Sequence, residues 1–278
     1  MLGNEEIKSF KHKLQAMIEK KVDKKDAQYV AIYFRDLNNG PWFGINEQEG
    51  FSPASLLKVP IMMAYFKLAE TQPGLLSKQV MFNRGMEDEN LLEYFKPQSA
   101  IEPGRSYTIE DLIYRMIVYS DNNAKHVLLS HIDGISIIQP YLDMGLEVPG
   151  SKQLENFMTV HEYASFFRVL FNATYLSREM SEKALEILSQ VAFNRGLPGG
   201  VPGLTVAHKF GERIINDPDN PMHGFKQLHD CGIIYYPDKP YLLCIMTRGY
   251  DFTNMSGVIS RISSMVYKEI EAHQEESK

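Results

Sequence analysis

The sequence predicts an α+β fold: an antiparallel sheet flanked by terminal helices, plus an all-helical subdomain. Three observations predict it. Runs rich in β-branched and aromatic residues lie towards both ends, at Tyr29–Asp36 and again between Thr205 and Thr247. The long middle places its apolar residues at helical spacing. Amphipathic helical patterns stand outside the strands, at Asn4–Lys21 and Met255–Glu271. Strands from the two ends bury one another most simply in one sheet. Residues 1–278 are therefore read as one domain, with an α/β subdomain of about 1–82 and 194–278 and a helical subdomain of about 83–193.

In chain order, the first helix has Ile7, Phe10, Leu14, Met17 and Ile18 on one stripe. Tyr29–Asp36 is a strand, Leu37-Asn38-Asn39-Gly40 a turn, and Trp42–Asn46 the returning strand. From Ser55 a helix dense in Leu56, Leu57, Val59, Ile61, Met62, Met63 and Phe66 is expected to be buried on most sides. Gln72–Gly104 has weak periodicity and is read as short helices and loops. Thr108 opens a helix with a capping-box pattern. A second helical run follows Ser120-Asp121-Asn122, and Ile135–Met144, Thr159–Asn172 and Ser181–Phe193 read as further helices, with a loop at Gly145–Phe157. Thr205–Phe210 is a strand, and Gln227–Tyr236 with Tyr241–Thr247 forms a hairpin around Pro237-Asp238-Lys239-Pro240. With the turn there, Cys231 and Cys244 share a face without standing opposite each other, and are expected as free, buried thiols.

Composition excludes several classes. The chain is 44% hydrophobic and 23% charged with a net charge of −6, which does not favour nucleic acid or an anionic membrane. It has no apolar run long enough for a membrane span, and its first residues lack a signal-peptide core. His126/His131 and His223/His229 lack metal-site spacing, and no G-x-S-x-G elbow surrounds Ser55.

Three polar clusters carry the chemistry. Ser55 and Lys58 are three residues apart on a helix, so Ser55 Oγ and Lys58 Nζ are within reach of one another. An ammonium in an apolar helix is costly unless paired or neutral, and a neutral lysine beside a serine is a base for its hydroxyl proton. The helix start supplies N–H groups and positive potential near Ser55. Ser120-Asp121-Asn122 projects a hydroxyl and an amide from a turn between helices. His208-Lys209-Phe210-Gly211, at a strand end, offers a cation and a glycine along which a substrate backbone can lie. Taken singly, each has a plain alternative: an N-cap serine with a snorkelling lysine, a solvated loop, and a strand-end lysine with a turn glycine.

Taken together, S-x-x-K, S-D-N and K-x-G in this order and these contexts make up the motif set of class A β-lactamases and penicillin-binding proteins. The chain resembles the class A β-lactamase-like branch of the penicillin-recognising serine enzymes from about Tyr29 to its last helix, chiefly through FSPASLLKVPIMMAYF and YRMIVYSDNNAKHVLL. The resemblance implies a serine hydrolase working through an acyl-enzyme, without metal or cofactor. Ser55 would be the nucleophile, Lys58 its base, and Ser120 the proton shuttle to the leaving nitrogen. Asn122 would hold Lys58 and the substrate amide, Lys209 the substrate carboxylate, and the N–H groups of Ser55 and Glu212 the oxyanion. Asp121 is read as tying its own loop. A small-molecule or peptidoglycan-peptide substrate and a monomeric enzyme are expected; the residues leave the compartment open between an intracellular protein and a trimmed chain, and the resemblance alone implies an extracytoplasmic one.

Two departures stand out. Phe210 replaces the threonine or serine of the family's third motif, removing a donor to the substrate carboxylate, worth roughly 1.5–3 kcal/mol, and adding bulk. The stretch DMGLEVPGSKQLENFMT lacks the E-x-x-L-N pattern whose glutamate activates the deacylating water, leaving Glu147 and Glu155 as the candidates. Slow deacylation is expected. A D,D-peptidase or esterase of the same fold, or a non-catalytic cell-wall peptide-binding module, is the alternative.

Overall fold

The computed structural model describes residues 4–21, 26–38, 40–83, 88–150, 156–215 and 224–275. By its internal contacts the chain divides into two compact units, one comprising Met1–Ala54, Glu155–Phe167 and Phe193–Lys278, the other Ser55–Leu154 and Arg168–Ala192.

The first unit contains the sheet. Strands β1 (Tyr29–Asp36), β2 (Trp42–Ile45), β7 (Val206–Ile215), β8 (Phe225–Ile234) and β9 (Tyr241–Gly249) are ordered β2-β1-β9-β8-β7, every neighbour antiparallel. The first strand thus pairs with the last, Tyr29 opposite Arg248. Helices α1 (Asn4–Lys21) and α8 (Phe252–Glu275) belong to this unit and pack on it through the predicted stripes: Phe10 and Leu14 from α1, Ile259, Ile262 and Val266 from α8, all buried. Each such side chain contributes about 1.5–3 kcal/mol by leaving water. The seven residues Tyr241–Thr247 are all buried, which explains why β9 reads as a continuous apolar run instead of an alternating one. The pair β3 (Gly50–Phe51) and β6 (Met158–Thr159) forms a separate two-stranded sheet. Gly50 is required there, since a Cβ would lie 2.6 Å from the Asn156 carbonyl oxygen.

Two expectations are corrected in this unit. The K-x-G stretch sits inside a ten-residue strand instead of at a strand end, because β7 pairs with β8 as far as Ile215. Cys231 and Cys244 are directly opposite, Cα atoms 4.0 Å apart, and joined by a disulfide instead of being free. The physical reason is register: Ile234 pairs with Tyr241, so the hairpin loop begins at Tyr235, ahead of the Pro237–Pro240 turn, and shifts every cross-strand partner.

The second unit is built around α2 (Lys58–Ala69), which contacts α3 (Ile109–Val118), α5 (Gly134–Asp143) and α7 (Arg178–Leu188). The expected wide burial of α2 is present from Lys58 to Phe66. Thr108 caps α3, its hydroxyl accepting from the Asp111 N–H at 3.0 Å. Between α2 and α3 the weakly periodic stretch contributes β4 (Gln79–Met81), paired with β5 (Ser106–Thr108), and turns. Helix α4 (Asn122–Leu129) follows α3, and the residues of α6 (Val160–Phe171) are assigned to the first unit as far as Phe167 and to the second from Arg168.

Candidate active site

Ser55 does not lie in the α-helix itself. Ala54–Leu57 is a single 3₁₀ turn, and α2 begins at Lys58. Pro60 has no N–H to donate to the Leu56 carbonyl, so an α-helical turn starting at Ser55 would lack that bond. Ala54 enters the turn with φ +49°, a left-handed conformation that costs a non-glycine residue roughly 1–2 kcal/mol. Ser55 is half-buried at the turn, whereas Lys58 is fully buried.

Lys58 Nζ donates to Ser55 Oγ at 2.9 Å, to Ser120 Oγ at 3.0 Å and to the Ser120 carbonyl at 2.7 Å. The predicted S-x-x-K contact is therefore made, and the S-D-N serine joins it. Ser120 also has positive φ, +59°, in the turn between α3 and α4. Such strain at a buried polar cluster persists only where the surroundings impose it. Asp121 imposes it: fully buried, it accepts from Asn90 Nδ2 at 2.8 Å and Asn123 N–H at 2.9 Å on one oxygen, and from Ile101 N–H at 2.8 Å on the other. It ties two distant segments as well as its own loop. The Asn122 N–H donates to Asn90 Oδ1 at 2.8 Å, while its amide nitrogen donates to the Glu89 carbonyl at 3.2 Å and to the Glu93 carboxylate. A hydroxyl 2.9 Å from an amine can pass its proton to that amine, and a second hydroxyl at 3.0 Å can relay it.

In the sheet unit, Lys209 is fully buried in β7. Its ammonium donates to the Phe210 carbonyl at 3.0 Å and lies 4.2 Å from the centre of the Phe210 ring. That ring stacks on Phe193 at 4.3 Å and is itself buried, so Phe210 is a core residue as well as a motif residue. Gly211 pairs with His229 and Glu212 with Leu228, and both are buried. His208 bonds Asp230 at 2.7 Å, and Asp230 accepts from the Leu197 N–H at 2.8 Å. A Cβ on Gly196 would lie 2.1 Å from the Asp230 carboxylate, so the residue before this anchored turn must be glycine.

The model of the beta-lactamase enzyme family matches residues 9–270. The chain belongs to that family. Solved β-lactamase-family structures share its fold. A point mutant of PBP-A, solved as the acyl-enzyme with penicillin G, superposes with a TM-score of 0.77 at 22% identity, covering 95% of this chain and 97% of that one. A beta-lactamase from Chitinophaga pinensis gives 0.76 at 17% identity, covering 94% and 99%. The TLA-3 extended-spectrum beta-lactamase gives 0.77 at 15% identity, covering 95% and 98%. No curated protein matches the chain.

Of the two glutamates considered for the β-lactamase family's deacylating role, Glu147 is half-buried in the segment after α5, and Glu155 lies outside the described residues. Among the described residues no group of three or more His, Cys, Asp and Glu side chains is gathered to hold a metal ion, and no helix is long and apolar enough to cross a membrane. Sequence reasoning missed Asn90, Glu89 and Glu93, the partners of the S-D-N turn. The run Asp88-Glu89-Asn90 was the available signal, a polar cluster in a stretch without periodicity. It also missed Gln227, His229 and Arg213, which hold Ser52.

Proposed function

We propose that this chain is a serine hydrolase acylated at Ser55 by β-lactams or D-Ala-D-Ala-like amides, and that it releases the acyl group slowly. The observation that carries this reading is the contact of one buried amine with two hydroxyls, Lys58 with Ser55 Oγ at 2.9 Å and Ser120 Oγ at 3.0 Å. In the reactive form Lys58 has lost one proton, the Ser55 contact reverses so that the hydroxyl donates to Nζ, and Lys58 takes that proton as Oγ attacks the amide carbonyl. The N–H groups of Ser55 and Glu212 are assigned to the oxyanion, Asn122 to the substrate's amide side chain and Lys209 to its carboxylate. The proton then passes through Ser120 to the amide nitrogen, the C–N bond breaks, and the acyl group stays on Ser55. Water resolves the ester if a base aims it, and Glu147 is the described candidate.

Slow release rests on the sequence between Asp143 and Phe157, which lacks the patterned glutamate. The same feature favours a D,D-peptidase or esterase over an efficient resistance enzyme. The point mutant of PBP-A solved as an acyl-enzyme with penicillin G gives acylation a structural relative.

A chromogenic cephalosporin tests it. A fast first turnover followed by a slow steady state is expected, with the acyl adduct visible by intact mass and absent in Ser55→Ala. Rapid steady-state hydrolysis without a burst would overturn slow release, and equal labelling of Ser55→Ala would overturn the nucleophile.

A further inference from the structure

Three residues before Ser55, the chain is held with unusual completeness. All three polar groups of buried Ser52 are taken by side chains of the sheet. Its N–H donates to Gln227 Oε1 at 2.9 Å, its carbonyl accepts from His229 Nε2 at 2.9 Å, and its hydroxyl accepts from Arg213 at 3.1 Å. Arg213 pairs with Gln227, Gly211 with His229, and Lys209 with Cys231, so these holding residues occupy the same alternation of β7 and β8 as Lys209. His229 is fixed in one tautomer: the Ser52 carbonyl can only accept, so Nε2 carries the proton, and Nδ1 accepts from the Thr247 N–H at 3.3 Å.

Gln227 does a second thing. Its other amide atom, Nε2, donates to Asn156 Oδ1 at 2.8 Å. Asn156 is where the described chain returns from the stretch that holds Glu147 and Glu155. The same two segments also meet through the β3–β6 pairing and the glycine-only approach of Gly50 to the Asn156 carbonyl. One fully buried carboxamide, its orientation set because the Ser52 N–H can only donate, therefore bridges the lead into the nucleophile and the end of the loop in which a deacylating base is sought.

We infer that Gln227 is a positioning residue for both halves of the reaction, acting on Ser55 through Ser52 and on the loop through Asn156. This rests on the proposed acyl-enzyme reading for its kinetic consequences. Geometry errors of a few tenths of an ångström at a nucleophile lower the rate of the chemical step more than they lower binding. Gln227→Met, of similar length but without the amide, disconnects both segments. Asn156→Ala disconnects only the loop. Gln227→Glu retains an oxygen for the Ser52 N–H, and the Asn156 amide can turn its nitrogen towards the second oxygen.

The test uses the full chain and two readouts, amide hydrogen exchange and the reaction with a fluorescent penicillin. Gln227→Met should raise exchange about tenfold or more over residues 50–58 and 156–160 together. It should lower the first-order acylation constant by about tenfold while leaving the non-covalent dissociation constant unchanged. Gln227→Glu should recover most of that loss. Asn156→Ala should raise exchange only over residues 156–160, slow acyl release and leave acylation unchanged. This exposed substitution keeps the test open if Gln227→Met does not fold. Unchanged exchange over these segments in either variant, or acylation by Gln227→Met at the original rate, overturns the inference. Exchange requires no acylation, so a wild-type protein that takes up no penicillin overturns the proposed function, and the role of Gln227 is then decided by exchange alone.

Discussion

Among the described residues two lysines are completely buried, and the partners of their ammonium groups differ in kind. Lys58 is bonded to two hydroxyls and a carbonyl, reaching 62 residues along the chain to Ser120. Lys209 is bonded to the carbonyl of the next residue and lies over that residue's ring. Hydroxyls exchange protons with an amine, whereas a carbonyl and an aromatic face only stabilise a cation. On the proposed reading Lys58 belongs to a proton path and Lys209 holds the substrate's charge, and they should fail differently when removed.

The largest expected effect follows directly. Lys58→Ala should slow acylation by about 10²–10⁴-fold, the usual contribution of a general base, with little change in the non-covalent affinity for penicillin. Lys209→Ala should instead weaken that affinity by about 10–100-fold, the value of one charge-assisted bond. Stopped-flow acylation at several penicillin concentrations separates the two constants. An unchanged acylation constant in Lys58→Ala would mean that another base takes the Ser55 proton.

Phe210 sharpens the Lys209 side. Because its ring is buried against Phe193 as well as under the ammonium, Phe210→Thr should cost about 3 kcal/mol of stability while speeding acylation by restoring a hydroxyl beside Lys209. Urea unfolding measures the first and penicillin labelling the second. A variant as stable as the parent would show the stack to be inert.

A smaller and pH-dependent effect comes from His229, which holds the Ser52 carbonyl. Burial, reinforced by nearby Arg248, lowers its pKa from 6.5 to about 4, so it is neutral in the folded protein. The unfolded chain binds the proton more readily between these values. Its contribution to stability is therefore complete above about pH 6.5 and is lost as pH falls towards 4, by roughly 3 kcal/mol. Urea midpoints at pH 7 and pH 4.5 should differ more in the parent than in His229→Gln. Equal slopes would mean that another group dominates.

Much of this was legible in the sequence because it is local. Asn4–Lys21 and Tyr29–Asp36 are found residue for residue, and the Thr108 cap makes its predicted bond. The Ser55–Lys58 contact follows from a spacing of three. What was not legible depends on partners far away. Gln227 reads as an ordinary polar strand residue because the Ser52 N–H that it binds is 175 positions earlier. Asn90 lies in a stretch whose weak periodicity gave no reason to bring it to the S-D-N turn. The cysteine pairing was missed by hairpin register, which composition at the turn does not fix. The left-handed Ala54 was missed because alanine carries no mark of that conformation.

The pairing of the first strand with the last has a consequence for how the molecule is made. Until Tyr241–Gly249 has been synthesised, Tyr29–Asp36 has only the short strand Trp42–Ile45 beside it. Its other edge, with Ala31, Ile32, Tyr33 and Phe34 all destined for the core, waits open through nearly the whole of translation. Ser55–Leu154, by contrast, is continuous in sequence and can gather its contacts as it emerges. A ribosome that stalls after α7 but before Tyr241 therefore holds a chain whose Ser55–Lys58–Ser120 cluster has all its residues and whose sheet has an unmet edge. Such a nascent chain offers other chains an apolar strand edge that the finished protein covers.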